Sequence, residues 1–312
     1  MNCPICHSES EKNLSSKLRR GEGAVLYCEA CEHGFLATDD KLDAKKYYDE
    51  EYRQEYSHRS EAAKTDAKEI FETYKDYQRD RLRLITPYLS AETELLEVGS
   101  SSGQFLVNIA EKVAKLNAIE LDKACCSFVE NELGIPCDSE FLRESLFADN
   151  VYDIVCSFQV MEHVPDPVEF LKDLRQSTKP GGHIFVEVPN LRDPLLSIWD
   201  VDYYKTFFYH SAHLSYFTEA SLMKTAELAG FSTDEVQITF TQDYNLLNHL
   251  SWVMNGTPQE TCHIGLSEIS LKGKGDIPNW LEQQLRNLGQ EYESRLVAAK
   301  STSNIMMMLK NV

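Results

Sequence analysis

Four cysteines stand in two tight pairs near the N-terminus, Cys3-Pro-Ile-Cys6 and Cys28-Glu-Ala-Cys31, with 21 residues between the pairs. A CxxC turn lets two thiolates converge on one ion, and two such turns complete a tetrahedral set. A segment of about 40 residues can hardly build a core of its own, so a structural zinc ion held by Cys3, Cys6, Cys28 and Cys31 is expected. His7 and His33 are substitute ligands that four cysteines make unnecessary. Redox-active CxxC pairs sit at helix starts in a thioredoxin-like context, which this stretch lacks. The other five cysteines, Cys125, Cys126, Cys137, Cys156 and Cys262, fall in apolar or helical contexts and read as reduced filler.

A second group of residues is suited to cradling a ligand. Leu95-Leu-Glu97-Val-Gly99-Ser-Ser-Ser-Gly103 is an apolar run that stops in a glycine- and serine-rich turn. Gly99 permits a tight turn off a strand, and small residues let the backbone approach a ligand. A helix through about Val113 is expected to follow and to present its free N–H groups. Glu120 ends the next apolar run, about 20 residues on, where a carboxylate can accept hydrogen bonds from both hydroxyls of a ribose. The turn lacks the GxGxxG spacing that seats a pyrophosphate. Glu97, two positions before the first glycine, could instead hold a positively charged amino-acid end. These two details favour S-adenosylmethionine over NAD.

The elements needed to position such a turn alternate along the chain. Strands are expected at Glu94–Val98, Asn117–Leu121, Gly134–Cys137, Tyr152–Phe158, His183–Val188, Val236–Thr241 and Ile305–Leu309. Helices are expected at about Lys123–Leu133, Asp166–Ser177 and Thr218–Ala229, the last with Thr218 as N-cap and Gly230 at its end. Lys179-Pro-Gly-Gly182 stops the second of these. Strands separated by helices imply right-handed crossovers and a parallel sheet covered on both faces. The predicted fold is Rossmann-like α/β, a mostly parallel seven-stranded sheet with helices on both faces, plus an N-terminal zinc ribbon and a helical C-terminal insertion. Its divisions are a zinc-ribbon segment at 1–40, a tyrosine-rich helical lid or linker at 41–90, a core at 91–244, a helical cap or homodimerisation insertion at 245–302 and a final strand at 303–312. From about Ser60 the linker reads as one long helix ending at Pro87. Tyr47, Tyr48, Tyr52 and Tyr56 within it suit either a lid over a sugar or nucleotide ring, or a packed helical surface or dimer contact. The insertion ends in an amphipathic helix carrying Trp280, Leu281, Leu285, Leu288 and Leu296.

Composition narrows the partners. The net charge is −19, from 50 acidic against 31 basic residues, so a nucleic-acid substrate, which needs basic residues along its phosphates, is not expected. No apolar run approaches the roughly 20 residues that span a bilayer. The start MNCPIC carries no basic stretch followed by an apolar one, so a soluble, cytoplasmic protein is the expectation.

With these residues in view, the chain resembles the class I S-adenosylmethionine-dependent methyltransferases over about residues 75–240 and again at 303–311. Glu97-Val-Gly99-Ser-Ser-Ser-Gly103 looks like that family's first motif, Glu/Asp-x-Gly-x-Gly-x-Gly, departing from it at Ser101. Ala118-Ile-Glu120-Leu-Asp122 looks like its acidic second-strand motif. Tyr152–Val164, ending in Met161-Glu162-His163-Val164, resembles the fourth-strand motif ending in "LEHV". The resemblance implies that Glu97, Gly99, Ser100, Ser101, Gly103, Gln104, Glu120, Leu121, Phe158, Gln159 and Val160 line the cofactor. The stretch Phe208-Tyr209-His210-Ser-Ala212-His213-Leu-Ser-Tyr216-Phe217-Thr218 is similar to the "YHEHLSYFS" segment of sugar methyltransferases that also carry an N-terminal four-cysteine site. Ala212 stands where the glutamate would be, one residue is inserted, and the large C-terminal domain of the sugar C-methyltransferases is missing from this sequence. A sugar or sugar-nucleotide acceptor is implied, C-methylation less so.

Methyl transfer from a sulfonium is an in-line displacement, so most of the catalysis is positioning. A hydroxyl acceptor, or a carbon beside a carbonyl, also needs a base. His213 is the favoured base because it follows the fifth strand, on the sheet edge where ligands bind. It could equally tie its loop down by hydrogen bonds. His163 and His210 are alternatives, and Tyr209 could orient the acceptor or belong to the core. The competing readings are an NAD-dependent sugar-nucleotide oxidoreductase, which lacks a Tyr-x-x-x-Lys or cysteine motif here, and a non-catalytic protein that docks partners through the ribbon.

Overall fold

The computed structural model describes residues 1–19, 23–37 and 66–312. Tyr47, Tyr48, Tyr52 and Tyr56 lie outside the described residues.

The order of strands follows from alternation of buried pairs. In β4 (Glu94–Val98), β5 (Lys115–Ile119), β7 (Tyr152–Phe158) and β8 (Thr178–Pro189) most side chains on both faces are buried, as a covered parallel sheet requires. Leu95, Ile154 and Phe185 enter one core with Ile85, Phe105 and Val129. Their neighbours Leu96, Val155 and Ile184 point the other way, onto Leu171, Leu174 and Leu222. Two residues, Cys137–Asp138, form β6 beside β5. The hairpin-like pair β10 (Val236–Thr241) and β11 (Asn304–Lys310) joins antiparallel at β8, giving the order β10-β11-β8-β7-β4-β5-β6. The seven-stranded, mostly parallel sheet with helices on both faces is as expected.

Several boundaries differ, each for a local reason. The helix expected after Gly103 is two short 3-10 turns, Leu106–Asn108 and Ala110–Lys112. The Asn108 side chain donates to the carbonyl of Gln104, the group its own amide would use in an α-helix, and so competes with the ladder. No long helix dipole therefore points into the loop. The helix expected up to Pro87 is split into Ala67–Tyr74 and Arg79–Ile85, because the Gln78 side chain takes the carbonyl of Tyr74. Pro87 then closes a single 3-10 turn, Thr86–Tyr88. The Lys179-Pro-Gly-Gly182 turn lies inside β8, with Gly181 at φ 83° and its amide bonded to Asn311.

The ribbon makes a long-range pairing. Strands β1 (Lys12–Ser15), β2 (Ala24–Cys28) and β3 (His33–Ala37) form an antiparallel sheet whose fourth member is β9 (Ser215–Tyr216), from the stretch that follows β8. Phe35 opposes Ser215 and Gly34 opposes Tyr216, where a Cβ on Gly34 would sit 3.0 Å from that of Tyr216. Cys3, Ile5, Cys28, Cys31 and Phe35 share one continuous core with Val186, Val188 and Phe217. The ribbon strands thus complete a sheet with β9.

The stretch 245–302 is helical, with helices Leu246–Asn255, Cys262–Leu266 and Asp276–Ala298. On the long helix only Leu296 is buried, while Trp280, Leu281 and Leu288 remain exposed. Among the described residues no helix is long and apolar enough to cross a membrane.

Candidate active site

The loop after β4 is drawn onto the end of β5 by its own amides. Gly99 and Ser100 both donate to the carbonyl of Ile119, at 2.7 and 3.1 Å. Gly99, Ser101 and Gly103 all take left-handed φ, 81°, 48° and 78°. Glycine is required twice for space as well: a Cβ on Gly99 would run into Val160, and one on Gly103 would lie 2.6 Å from Leu133. Ser101 holds the same region without glycine's freedom, a strain that clusters at functional sites. Ser102 donates to the side chain of Gln104.

Glu120 stands just past β5, where its two oxygens accept from the amides of Ser101 (2.6 Å) and Asp122 (2.8 Å). Each carboxylate oxygen has a second lone pair, so the group can brace the loop and still accept from a ribose. Leu121 follows, partly exposed. Glu97 is 3% exposed and its Oε2 has no hydrogen-bond partner. Burial pushes its carboxyl up to about 8; the Arg81 guanidinium opposes the shift and Glu120 adds to it. A buried oxygen with nothing to bond is costly unless a ligand supplies the partner. An ammonium group fits that vacancy in charge and in hydrogen bonding.

Across the sheet, Phe158 packs edge-on against Phe105 and lies beneath the Arg81 guanidinium, 4.6 Å from its ring. Gln159 adopts φ 58°, and its side chain donates to Glu187 and Asn304, both at 3.2 Å. Glu187, 2% exposed on β8, is paired with Arg81 at 2.9 and 2.5 Å. Asn304 on β11 in turn donates to Asp243 at 2.6 Å. This network was not anticipated, although a glutamate inside the apolar run Ile184-Phe-Val-Glu-Val188 is the kind of buried charge that needs a partner.

The turn Met161–His163 and the loop 209–217 meet beside this network. The amide of Leu214 donates to the carbonyl of Glu162 at 2.8 Å, and His163 Nδ1 lies 2.8 Å from the carbonyl of Ala212. The rings of His163 and His213 are 4.7 Å apart, and those of His210 and His213 3.7 Å. His163 Nε2 and His213 Nε2 lie 3.9 and 4.0 Å from Glu162 Oε1. Burial raises the Glu162 carboxyl to about 8 and lowers His163 to about 4 and His210 to about 3; His213 is held well below its ordinary value by burial and by its two histidine neighbours. At neutral pH these imidazoles are neutral. Tyr209 is 5% exposed and packs edge-on to Phe208 and Tyr216, a core placement, with burial raising its phenol to about 12.

In the ribbon, Cys3 Sγ lies 3.6 Å from Cys31 Sγ and Cys6 Sγ 3.4 Å from Cys28 Sγ, and all four sulfurs fall within 4.8 Å of one another. No disulfide joins these four cysteines. His33 is not part of this cluster: it is buried between Phe35 and Phe217, neither ring nitrogen bonded. Two hollows of about 120 and 290 Å³ lie along the ribbon seam, lined by residues such as Arg192 and Met223, and neither is lined by the loop or the histidines.

The glycine turn at the C-terminal edge of a parallel sheet, an acid at the end of the neighbouring strand and an antiparallel last strand together define a Rossmann-like methyltransferase fold. The chain belongs to the family described as "Methyltransferase domain", whose model matches residues 68–236, more than half its length. Curated relatives include a ubiquinone biosynthesis O-methyltransferase of Ralstonia nicotianae, 27% identical over 46% of this chain and 61% of that protein. Another of the same name, from Marinobacter nauticus, is 31% identical over 40% and 56%. The chain thus spans less than two thirds of the length of these two relatives. Among solved structures, a Haloferax volcanii methyltransferase in complex with the Trm112 activator superposes with TM-score 0.50 at 11% identity, over 77% of this chain and 92% of that one. A SAM-dependent methyltransferase from Archaeoglobus fulgidus gives 0.49 at 19% identity, over 78% and 96%.

Proposed function

We propose that the protein methylates a small hydroxylated acceptor, a sugar or sugar-nucleotide, with the proton handled by the Glu162–His163–His213 cluster. The observation that carries this is the meeting of the 209–217 loop, whose sequence resembles a sugar-methyltransferase segment, with the turn that follows the cofactor strand. S-adenosylmethionine, when bound, supplies an electrophilic methyl carbon on a sulfonium. Glu97 would pair with its ammonium, Glu120 with its ribose, and the loop Gly99–Gly103 with Gln104 and Leu121 would enclose it, while Gln159 and Val160 border it. The neutral imidazole of His213 is in the state that accepts a proton, and its low basicity is offset by its position only if the acceptor is held against it. Cys3, Cys6, Cys28 and Cys31 suit a structural zinc: tetrahedral bonds of about 2.3 Å set sulfurs about 3.8 Å apart, near the spacing seen.

A second reading, a phenolic hydroxyl acceptor, is favoured by the names of the curated relatives. Incubation with S-adenosylmethionine and parallel panels of nucleotide-sugars and catechols, read by mass gain of one methyl, separates the two. Methylation confined to the catechols would overturn the sugar assignment. In the same assay His213→Ala should lower turnover by about 10²-fold or more with unchanged affinity for S-adenosylhomocysteine; equal turnover would remove it from the mechanism.

A further inference from the structure

Glu162 is 1% exposed, and neither of its carboxyl oxygens has a hydrogen-bond partner. The Nδ1 of His213, 9% exposed, is likewise unbonded. Buried polar atoms left unsatisfied in a well-packed interior are a cost that a native structure ordinarily avoids. Their surroundings do not offer a remedy from within the protein. The His163 ring has its Nδ1 at the Ala212 carbonyl, which makes that nitrogen the donor and leaves Nε2 as a lone pair. That lone pair faces Glu162 Oε1 at 3.9 Å, and His213 Nε2 faces the same oxygen at 4.0 Å, both too far for a hydrogen bond. Three acceptor atoms thus converge within 4.8 Å of one another.

We propose that Glu162, His163 and His213 form a binding site for a first-row divalent cation, distinct from the cysteine cluster. Two imidazoles and one carboxylate are the donor set of zinc, cobalt, manganese and iron(II) sites. Bonds of about 2.0–2.2 Å place ligand atoms about 3.0–3.5 Å apart, so the pairs at 3.9 and 4.0 Å need to close by about 0.5–1 Å and the widest pair by more than about 1 Å. The unbonded Glu162 side chain is free of hydrogen bonds that would resist that movement. The Ala212 carbonyl on His163 is the outer contact that fixes tautomer and ring orientation in such sites. Three protein ligands also leave a coordination position open, as in catalytic rather than structural sites. An ion there would staple the Met161–His163 turn to the 209–217 loop.

The inference rests on the reading above and revises one part of it: the cation would sit where the acceptor's proton is handled, and with it bound His213 is a ligand whose lone pair no longer serves as the base. Metal content therefore tests it, whereas affinity for S-adenosylhomocysteine and turnover test the methyltransferase reading. Full-length protein with its cysteine site filled by zinc is titrated with Co²⁺, desalted and analysed. The expected result is one cobalt per chain in addition to the zinc, with weak nitrogen/oxygen-type visible bands and no thiolate charge-transfer absorption. Glu162→Gln and His213→Ala should each weaken cobalt uptake by about tenfold or more while binding S-adenosylhomocysteine normally. Should a variant lose that ligand as well, X-ray absorption of the cobalt-loaded wild type decides, with two imidazoles in the coordination shell expected. No cobalt beyond the cysteine site, uptake unchanged in the variants, or a shell without imidazole would each overturn the proposal.

Discussion

Replacing the proton on Glu97 is the perturbation with the clearest numerical consequence. Its carboxyl is held at about 8, chiefly by burial, and its Oε2 is unbonded. To pair with the ammonium of S-adenosylhomocysteine the group must ionise, so at lower pH binding must first release a proton. A site of pKa about 8 is about 100-fold more protonated than ionised at pH 6 and about threefold at pH 7.5, which makes apparent affinity rise about 25-fold between them, about 1.9 kcal/mol. Isothermal calorimetry measures this directly, and repeating it at pH 7 in phosphate and in Tris reads the proton released, close to one. The variant Glu97→Gln should bind more weakly and show neither the pH slope nor the buffer dependence. Equal heats in both buffers, with affinity flat from pH 6 to 7.5, would refute the pairing of Glu97 with the ligand's ammonium. The same shift has a folding counterpart. With pKa raised above its unfolded value near 4.5, the folded state holds a proton that the unfolded chain has lost, so stability falls as pH climbs toward 8. His33, His163, His210 and His249, all lowered by burial, act oppositely, and their contribution levels off only about one pH unit above the unfolded value of 6.5. Denaturation of the ligand-free protein above about pH 7.5 therefore reports chiefly the buried carboxyls.

Three further outcomes follow from particular contacts. Ser101→Gly should stabilise the protein by roughly 1 kcal/mol in urea unfolding, since the position holds φ 48° and glycine takes it without strain; a loss of stability would mean the serine side chain outweighs the backbone. Arg81→Met leaves Glu187 buried and unpaired, a cost of about 3–5 kcal/mol, and the double change with Glu187→Met should recover most of it in the same denaturation series. Cys28→Ser should abolish ribbon zinc by metal analysis and raise the KM for acceptor, with affinity for S-adenosylhomocysteine nearly unchanged, because β3 pairs with β9 and not with the Gly99–Gly103 loop.

What could be read from sequence was what short-range chemistry determines. The run Glu94–Val98, its glycine turn and Glu120 sit within one βαβ unit, and the structure brings the loop amide of Ser101 onto Glu120 as that proximity requires. The cysteine pairs were equally legible, since each CxxC is a local turn and only their convergence is long-range. Hidden from the sequence were contacts made across distance in the chain. Asn108 diverts a helix by a bond to its own turn, yet it is also held by Lys75, 33 residues away. Arg81 and Glu187 are 106 residues apart, and nothing in the helix around Arg81 distinguishes it from Arg79 or Arg83, whose side chains are more exposed and pair with Glu293 and Asp80.

The ribbon shows how a segment legible by its cysteines can be joined to distant chain by strand pairing. Its hairpin would be marginal alone, and β9 is only two residues long; each supplies the edge that the other lacks. Arg19 strengthens the junction, its amide donating to the Tyr209 carbonyl and its Nε to that of Phe207. Thr218, the N-cap of the helix Glu219–Leu228, reaches back to the Glu32 carbonyl. The 209–217 loop is thus held on one side by ribbon backbone and on the other by the turn carrying Glu162 and His163, with the Leu191 amide on the Phe217 carbonyl at its end. The histidines can keep their spacing only while both sides hold, which couples the cysteine cluster to the acceptor side of the site through backbone hydrogen bonds rather than through any shared ligand.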